Sequence, residues 1–396
     1  MNTYGKNFYD LLARTFAGDT SSARLQAWID EVFANKYNQL QLDGFAFAPE
    51  MQLSFNYEQW QSKTNVAPMA TYTDVDSPAV PIGEPGIMVV SGSIPRMKEI
   101  ELLDEDKVRK QLIEEGVLAA QGVQPDYMAK LFNVADKLVQ RHTNSLTYQR
   151  HQMVSTGALT LTDTNNPRGL KITLPAGIPD KNKRYIIGEA RWWTDSTYAT
   201  EGTNADPVGD LQSWIRQIEY EGNYGHIEVN KRYLDRILNH SAVVTALAQS
   251  SVLLAATTGS TGTTSLQYLT REWKKAQLES LLGCPVKVID SVVSVKNYSR
   301  DTRGWVDTTL EAFSSDVLVF VPDGEIGEVL TVRPIYFQDP SATYGTFYDG
   351  RLLLTVAVDA VKKCQSFATE MTSLCVPSKA PSMFYLYPND SDKTDE

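Results

Sequence analysis

Residues 148–163 read YQRHQMVSTGALTLTD. A helix-like run passes without punctuation through Thr156-Gly157 and emerges as the alternation Leu159, Thr160, Leu161, Thr162, the period-two signature of a strand. Upstream, between Asp126 and Ser155, apolar residues recur at Tyr127, Leu131, Val134, Leu138, Val139 and Leu146, on roughly one face. The spacing predicts a helix about 45 Å long at a rise of about 1.5 Å per residue, longer than an ordinary globular domain needs. Downstream, DTNNPRG supplies turn residues, and Leu170, Ile172 and Leu174 alternate on the return, so a hairpin is expected. Gly157 lets the chain turn directly from helix into strand. No ligand-type residues sit at the join, so its task is geometric.

Working outward, ARLQAWIDEVF (23–33) has the spacing of a short amphipathic helix, with Leu25, Trp28, Ile29 and Val32 on one side. QLQLDGFAFAPEMQLSFNY reads as two strands about the Asp43-Gly44 turn. Residues 66–101 carry five prolines and three glycines among short alternating apolar runs. Prolines exclude helix and confine strands to edges, so this stretch reads as a long two-stranded excursion. Leu103-Asp104-Glu105-Asp106 opens a helix, its carboxylates suiting the positive N-terminal end.

Residues 187–333 have the alternation of an α/β region. Asp206-Pro207 starts a helix through LQSWIRQIEYEG, and Asn230 starts another, KRYLDRILNH. Leu266, Leu269, Trp273 and Ala276 mark a further helix ending at Gly283, followed by the strands PVKVIDSVV and VLVFVPDG. Trp192-Trp193 closes the expected strand RYIIGEARWW. Neighbouring strand residues face opposite sides, so one tryptophan is assigned to the core and one to an interface. The stretch from Arg333 to Ser378 reads as strands, and NDSDKTDE as a frayed tail.

Composition narrows the classes. At 396 residues, 42% apolar and 21% charged, the chain is globular and long enough for two or three domains. No run of 18 apolar residues suggests a membrane helix. The net charge of −11 disfavours a dedicated nucleic-acid binder and suits a protein that stays soluble at high concentration. Cys284, Cys364 and Cys375 form no CxxC pair, which fits a reducing compartment.

Catalytic signatures are missing. There is no GxSxG elbow and no GxxxxGK[ST] loop, and the GSTG at 259–262 lacks a following Lys. His142 and His151 lie nine residues apart, on roughly opposite faces of the predicted helix, and neither has a metal-ligand neighbour. His226 and His240 are no better placed. Asp74 with Asp76, and the run Glu99, Glu101, Asp104, Glu105 and Asp106, read as turn-forming and helix-capping residues. No catalytic, cofactor-binding or metal residue is therefore assigned, and the chain is expected not to be an enzyme.

The order of elements then carries a resemblance. A long extended stretch ends in SGSIPRMKEIELLDEDKV, and a long helix closes in HQMVSTGALTLTD. Next come DPVGDLQSWI, LGCPVKVIDSVVSV and VLVFVPDGEIG, and a close in SLCVPSKAPSMFYLYP. Together, Ile94-Pro95, Thr156-Gly157, Asp206-Pro207 and Val321-Pro322-Asp323-Gly324 make roughly residues 66–388 resemble the major capsid proteins of tailed bacteriophages. The likeness is to the lambda-type major capsid protein E family with the Hong Kong 97 capsid fold.

That resemblance implies an α+β fold with an N-terminal arm (1–65) and an extended loop lying across a neighbouring subunit (66–101). A peripheral domain (102–186) would hold the spine helix 126–156 and hairpin 157–186. An axial domain (187–333) and return strands with a tail (334–396) complete it. It also implies self-assembly into hexamers and pentamers of an icosahedral head, built in the bacterial host cytoplasm around double-stranded DNA contacted non-specifically. A portal protein and a separate scaffolding protein would be partners, with a decoration protein left open and no membrane involved. Inter-subunit contacts are expected at Tyr72, Val89, Val90, Ile94, Pro95, Arg96 and Lys98. Some relatives cross-link a Lys to an Asn beside an acidic residue; no such trio is matched here. Two other readings stand beside this one: an encapsulin-type nanocompartment shell, and an α/β enzyme with a dispersed site.

Overall fold

The computed structural model describes residues 23, 25–27, 29–30, 42–62, 87–103, 110, 127–167, 169–195, 197–221, 224–250, 270–299, 304–335, 342–359 and 364–389. Residues 66–86, the helix start after Leu103, Leu266 and Leu269, and the tail beyond Asn389 fall outside that range. The architecture mixes helices with sheets, as expected. Two compact units are interleaved along the sequence. The first gathers Met1–Tyr57, Ser93–Thr147 and Glu328–Cys375, and the second Glu58–Gly92, Tyr148–Gly327 and Val376–Glu396.

The helix predicted over 126–156 runs from Tyr127 to Thr156, so it contributes to both units. Within the first unit, Ala135, Leu138, Val139, His142 and Leu146 are buried at three-and-four spacing. That unit also holds a six-stranded sheet in the order Phe45–Phe47, Gly327–Thr331, Cys364–Val376, Leu352–Asp359, Ala342–Phe347, with Arg96–Leu103 also paired along Cys364–Val376. Phe367, Thr369, Met371 and Ser373 are buried on alternate positions of its longest strand. The helix is fastened to that face: His142 Nε2 lies 2.9 Å from Thr369 Oγ1, and Thr143 Oγ1 lies 3.0 Å from Tyr348 Oη.

Near the start of the chain, Gly44 makes the expected turn at φ +72°. The strand after it pairs with Gly327–Thr331 rather than closing a local hairpin. A further strand, Asn56–Ser62, pairs with Ile87–Ser93. Leu25 and Ile29 are buried, as the helical spacing at 23–33 requires.

In the second unit a five-stranded sheet runs in the order Lys183–Tyr185, Phe384–Tyr387, Leu318–Val321, His226–Asn230, Val286–Ile289. The helices Pro207–Glu221, Lys231–Ile237, Ser241–Ser250 and Arg271–Leu282 share its core through Leu211, Ile218, Leu234, Leu247 and Leu278. The caps fall where the sequence put them. Asp206 Oδ1 accepts from Gly209 N at 3.0 Å, Asn230 Oδ1 from Arg232 N at 2.9 Å, and Gly283 closes its helix at φ +70°.

Two readings need correction. The stretch ending in Trp192-Trp193 is not a continuous strand, because Gly188 at φ +63° breaks it and starts a short 3-10 turn. Freed from strand alternation, both tryptophans enter one core, their rings 6.3 Å apart in a T-shaped pair. In the helix Arg271–Leu282 the buried face is Lys274, Leu278 and Leu282, whereas Ala276 is exposed. One inward position is a lysine, whose amino group reaches Asn239 Oδ1 at 2.8 Å, so the apolar pattern alone misplaces the face.

The helix-to-hairpin joint forms as expected. Ala158–Leu161 pairs with Ile172–Pro175, placing the buried Leu159 opposite Leu174, and Leu170 lies outside the paired region and is exposed. Gly157 sits at φ +69°, and a Cβ on it would stand 2.6 Å from Ile178 Cδ1. Asn165 secures the hairpin's turn, donating to Tyr148 Oη at 2.8 Å and accepting from Thr162 N at 2.7 Å. Gly157→Ala is therefore expected to cost about 1–3 kcal/mol, combining left-handed strain with the clash. Calorimetry should show the thermal midpoint lowered by several degrees, and an unchanged midpoint would refute the account.

Candidate functional site

Two features stand out: the strands that bear the expected contact residues, and a buried ionic cluster that holds the long helix.

The contact residues separate by environment. Tyr72 lies outside the described residues. In Ile87–Ser93, Val89 is 49% exposed and Val90 is buried. Ile94 and Pro95 are buried within this chain, where Ile94 N donates to Phe55 O at 2.7 Å. Arg96 and Lys98 lie on the outward face of Arg96–Leu103, and both pair with Glu370 of the adjoining strand, Lys98 at 3.3 Å. Ile100 and Leu102 continue that outward face at 58% and 47% exposure. The sequence reading did not single them out, although the alternation Arg96, Lys98, Ile100, Leu102 was visible in it.

The second feature also escaped the sequence reading. In the second unit Arg150 and Glu228 are almost fully buried and form a two-pronged ion pair, with Nη1 donating to Oε2 at 2.7 Å and Nη2 to Oε1. Lys287 Nζ stands 3.6 Å and His226 Nε2 3.4 Å from Glu228 Oε1, while Arg150 Nη1 lies 3.0 Å from His151 Nδ1. Glu228 occupies the middle of the strand His226–Asn230, between the buried Ile227 and Val229. A carboxylate inside such an apolar run was the signal available. Around the cluster, Gln152 Nε2 donates to Ala312 O, Ser314 N to Ser155 Oγ, and Tyr385 Oη to Val154 O.

The electrostatics follow from these partners. Burial alone would raise the Glu228 pKa. Hydrogen bonds from His226 and Arg150, with the charges of Arg150 and Lys287, outweigh it and bring the group from 4.5 to about 2. In the first unit, burial lowers His142 from 6.5 to about 4; the bond to Thr369 opposes this and the charge of Arg141 adds to it. His142 is thus a neutral core residue at pH 7. Among the described residues, no group of three His, Cys, Asp or Glu side chains could hold a metal ion, and no helix is long and apolar enough to cross a membrane.

Comparison with known proteins then fixes the family. A profile of the phage major capsid protein E family matches residues 21–269, well over half of the chain. No curated protein sequence matches. Among solved structures, a phage-related protein from Bordetella bronchiseptica RB50 is similar at 13% identity and a TM-score of 0.49, with 91% of this chain and 96% of that one covered. The mature capsid of bacteriophage PhiM1 is similar at 8% identity and a TM-score of 0.43, with 89% and 87% covered. A chain of Mycobacterium phage Bobi is similar at 10% identity and 0.43, with 94% and 100% covered. The chain belongs to the phage major capsid protein E family. It is a phage major capsid protein, a structural protein of the virion.

Two predictions follow from the buried groups. Arg150→Ala leaves Glu228 buried with weaker partners and should cost about 3–5 kcal/mol. Replacing both charges together, as Arg150→Met with Glu228→Leu, should cost far less, since neither member of the fully buried pair is left behind and Lys287 is 36% exposed. Denaturant titration of the three chains checks this, and equal losses would overturn it. For pH, both native pKa values lie below their ordinary values, so stability is present at neutral pH and falls with acid. The His142 share is lost between about 6.5 and 4, and the Glu228 share between about 4.5 and 2. His142→Gln should flatten the thermal midpoint between pH 7 and 5, and an unchanged slope would refute the assignment.

Proposed function

We propose that this chain builds the icosahedral head of a tailed double-stranded DNA phage as hexamers and pentamers, in the host cytoplasm. The reading is carried by the family match over residues 21–269. The proposed partners are copies of itself, a separate scaffolding protein, a portal protein and DNA, and the role is structural rather than catalytic.

In this reading residues 66–86, framed by the paired strands Asn56–Ser62 and Ile87–Ser93, form the reach of an extended loop across a neighbour. Val89, Arg96 and Lys98 then face outward to a neighbouring subunit, while Val90, Ile94 and Pro95 support the strands from within. The long helix is the spine of the peripheral domain, and the five-stranded unit supplies the axial domain. Many modest contacts repeated under closed symmetry hold such a shell without one strong site. DNA contacts are weak and non-specific, in keeping with the net charge of −11.

The test is expression alone and with a scaffolding protein, followed by electron microscopy of the high-mass fraction. Shells are expected, and a monomer or dimer under every condition would overturn the proposal. Val89→Asp, at an exposed position, should leave the subunit folded by circular dichroism but reduce shell yield at least tenfold. So should replacing residues 66–86 by a short linker. Normal shells from both variants would remove the loop from the assembly mechanism.

A further inference from the structure

In the first unit Ala342–Phe347 stands last in the six-stranded sheet among the described strands. A strand in that position offers backbone N–H and C=O groups to any strand that approaches, and proteins blunt such edges with proline, charge or a covering element. The six residues ATYGTF hold neither proline nor charge. Their cover comes from a distant part of the chain.

Leu25, Gln26 and Ile29 belong to the helix near the start of the chain. Leu25 and Ile29 are buried, and a Cβ on Gly345 would stand 2.5 Å from Ile29 Cδ1 and 3.2 Å from Leu25 Cδ2. Glycine weakens a strand interior, and here it lets the helix reach the strand's backbone. The register sets Thr346 opposite Leu353, but the Thr346 backbone bonds go to the Gln26 side chain on the other side. Thr346 N donates to Gln26 Oε1 at 2.7 Å, and Gln26 Nε2 donates to Thr346 O at 3.1 Å. An added antiparallel strand would make the same two bonds to this one residue. Thr346 Oγ1 also donates to Oε1 at 3.0 Å, and Nε2 also donates to Asp30 Oδ1 at 2.8 Å. Both donors and both acceptor sites of the amide are therefore used.

We propose that Gln26 is an autoinhibitory residue: by taking the pairing positions of Thr346, it keeps Ala342–Phe347 from recruiting a strand of another polypeptide. The inference stands on this contact and not on the shell reading. Leu25 and Ile29 anchor the helix through burial. What the amide adds is position, because it carries the donor and acceptor of a peptide group and ends where the next peptide group would lie.

Three purified chains at matched concentration test the proposal: wild type, Gln26→Ala, and Gln26→Ala combined with Thr346→Pro. Alanine suits the helix and opens the edge. Proline removes the Thr346 N–H, which points away from the sheet, and so closes the edge without the amide. Thioflavin T binding and the intermolecular β-sheet band in the infrared spectrum report strand-paired association. Gln26→Ala should raise both at least tenfold, and the double variant should return them to the wild-type level. Gln26→Ala that stays at the wild-type level would overturn the proposal. So would a double variant that associates as much as Gln26→Ala, since lost stability rather than an open edge would then be the cause.

Discussion

The ion pair between Arg150 and Glu228 is the constraint on which the second unit depends. Two charges out of water carry a desolvation cost that only close geometry offsets. Here the guanidinium fork meets the carboxylate with both prongs, and Lys287 and His226 stand beside it. Such geometry tolerates little rotation of the helix and no slip of the strand. A one-residue shift of His226–Asn230 would send Glu228 to the opposite face and leave Arg150 buried alone. An apolar contact would stabilise the unit as well; what the charges add is a single register.

The joint after the helix extends that argument. Gly157 takes a backbone conformation that a side chain would strain, and Ala176 N then donates to Gly157 O at 2.8 Å, closing the hairpin's base. Asn165 ties its turn to Tyr148 on the same helix. Helix end and hairpin are thus fixed to each other at both ends of the hairpin by polar bonds over an apolar contact, Leu159 against Leu174. Polar bonds of this kind give direction, and the buried leucines give most of the free energy.

Local signals were legible in the sequence. The helix Tyr127–Thr156, the Asp206 and Asn230 caps, the stop at Gly283 and the hairpin at 158–175 all follow from spacing and capping within a few residues. What depended on distant partners was not. Arg150 and Glu228 are 78 positions apart, and nothing local couples them. The strand after Gly44 looked like half of a hairpin but pairs with Gly327–Thr331, because sheet partners are chosen by burial of a face rather than by proximity. One of Trp192 and Trp193 was assigned to an interface because alternation was carried across Gly188, where the strand breaks. Of the contact residues, Ile94 and Pro95 carry a sequence mark that reflects burial inside the chain.

How the chain treats its strand edges bears on why it assembles. In the first unit Ala342–Phe347 ends the sheet among the described strands, and the side-chain amide of Gln26 meets it as a neighbouring peptide group would. Thr346 N donates to Gln26 Oε1 at 2.7 Å, and Gln26 Nε2 donates to Thr346 O at 3.1 Å. Gly345 makes the close approach possible, since a Cβ there would stand 2.5 Å from Ile29 Cδ1. One helix thus occupies the edge where uncontrolled strand pairing would begin. By contrast, Ile100 and Leu102 on the strand Arg96–Leu103 stay 58% and 47% exposed. A subunit that must not aggregate yet must associate gains from this asymmetry: one edge that would pair with any strand is closed, while apolar side chains stand open on another strand. Assembly then depends on several weak, geometrically demanding contacts forming together. That makes association cooperative and leaves a single misplaced copy free to dissociate.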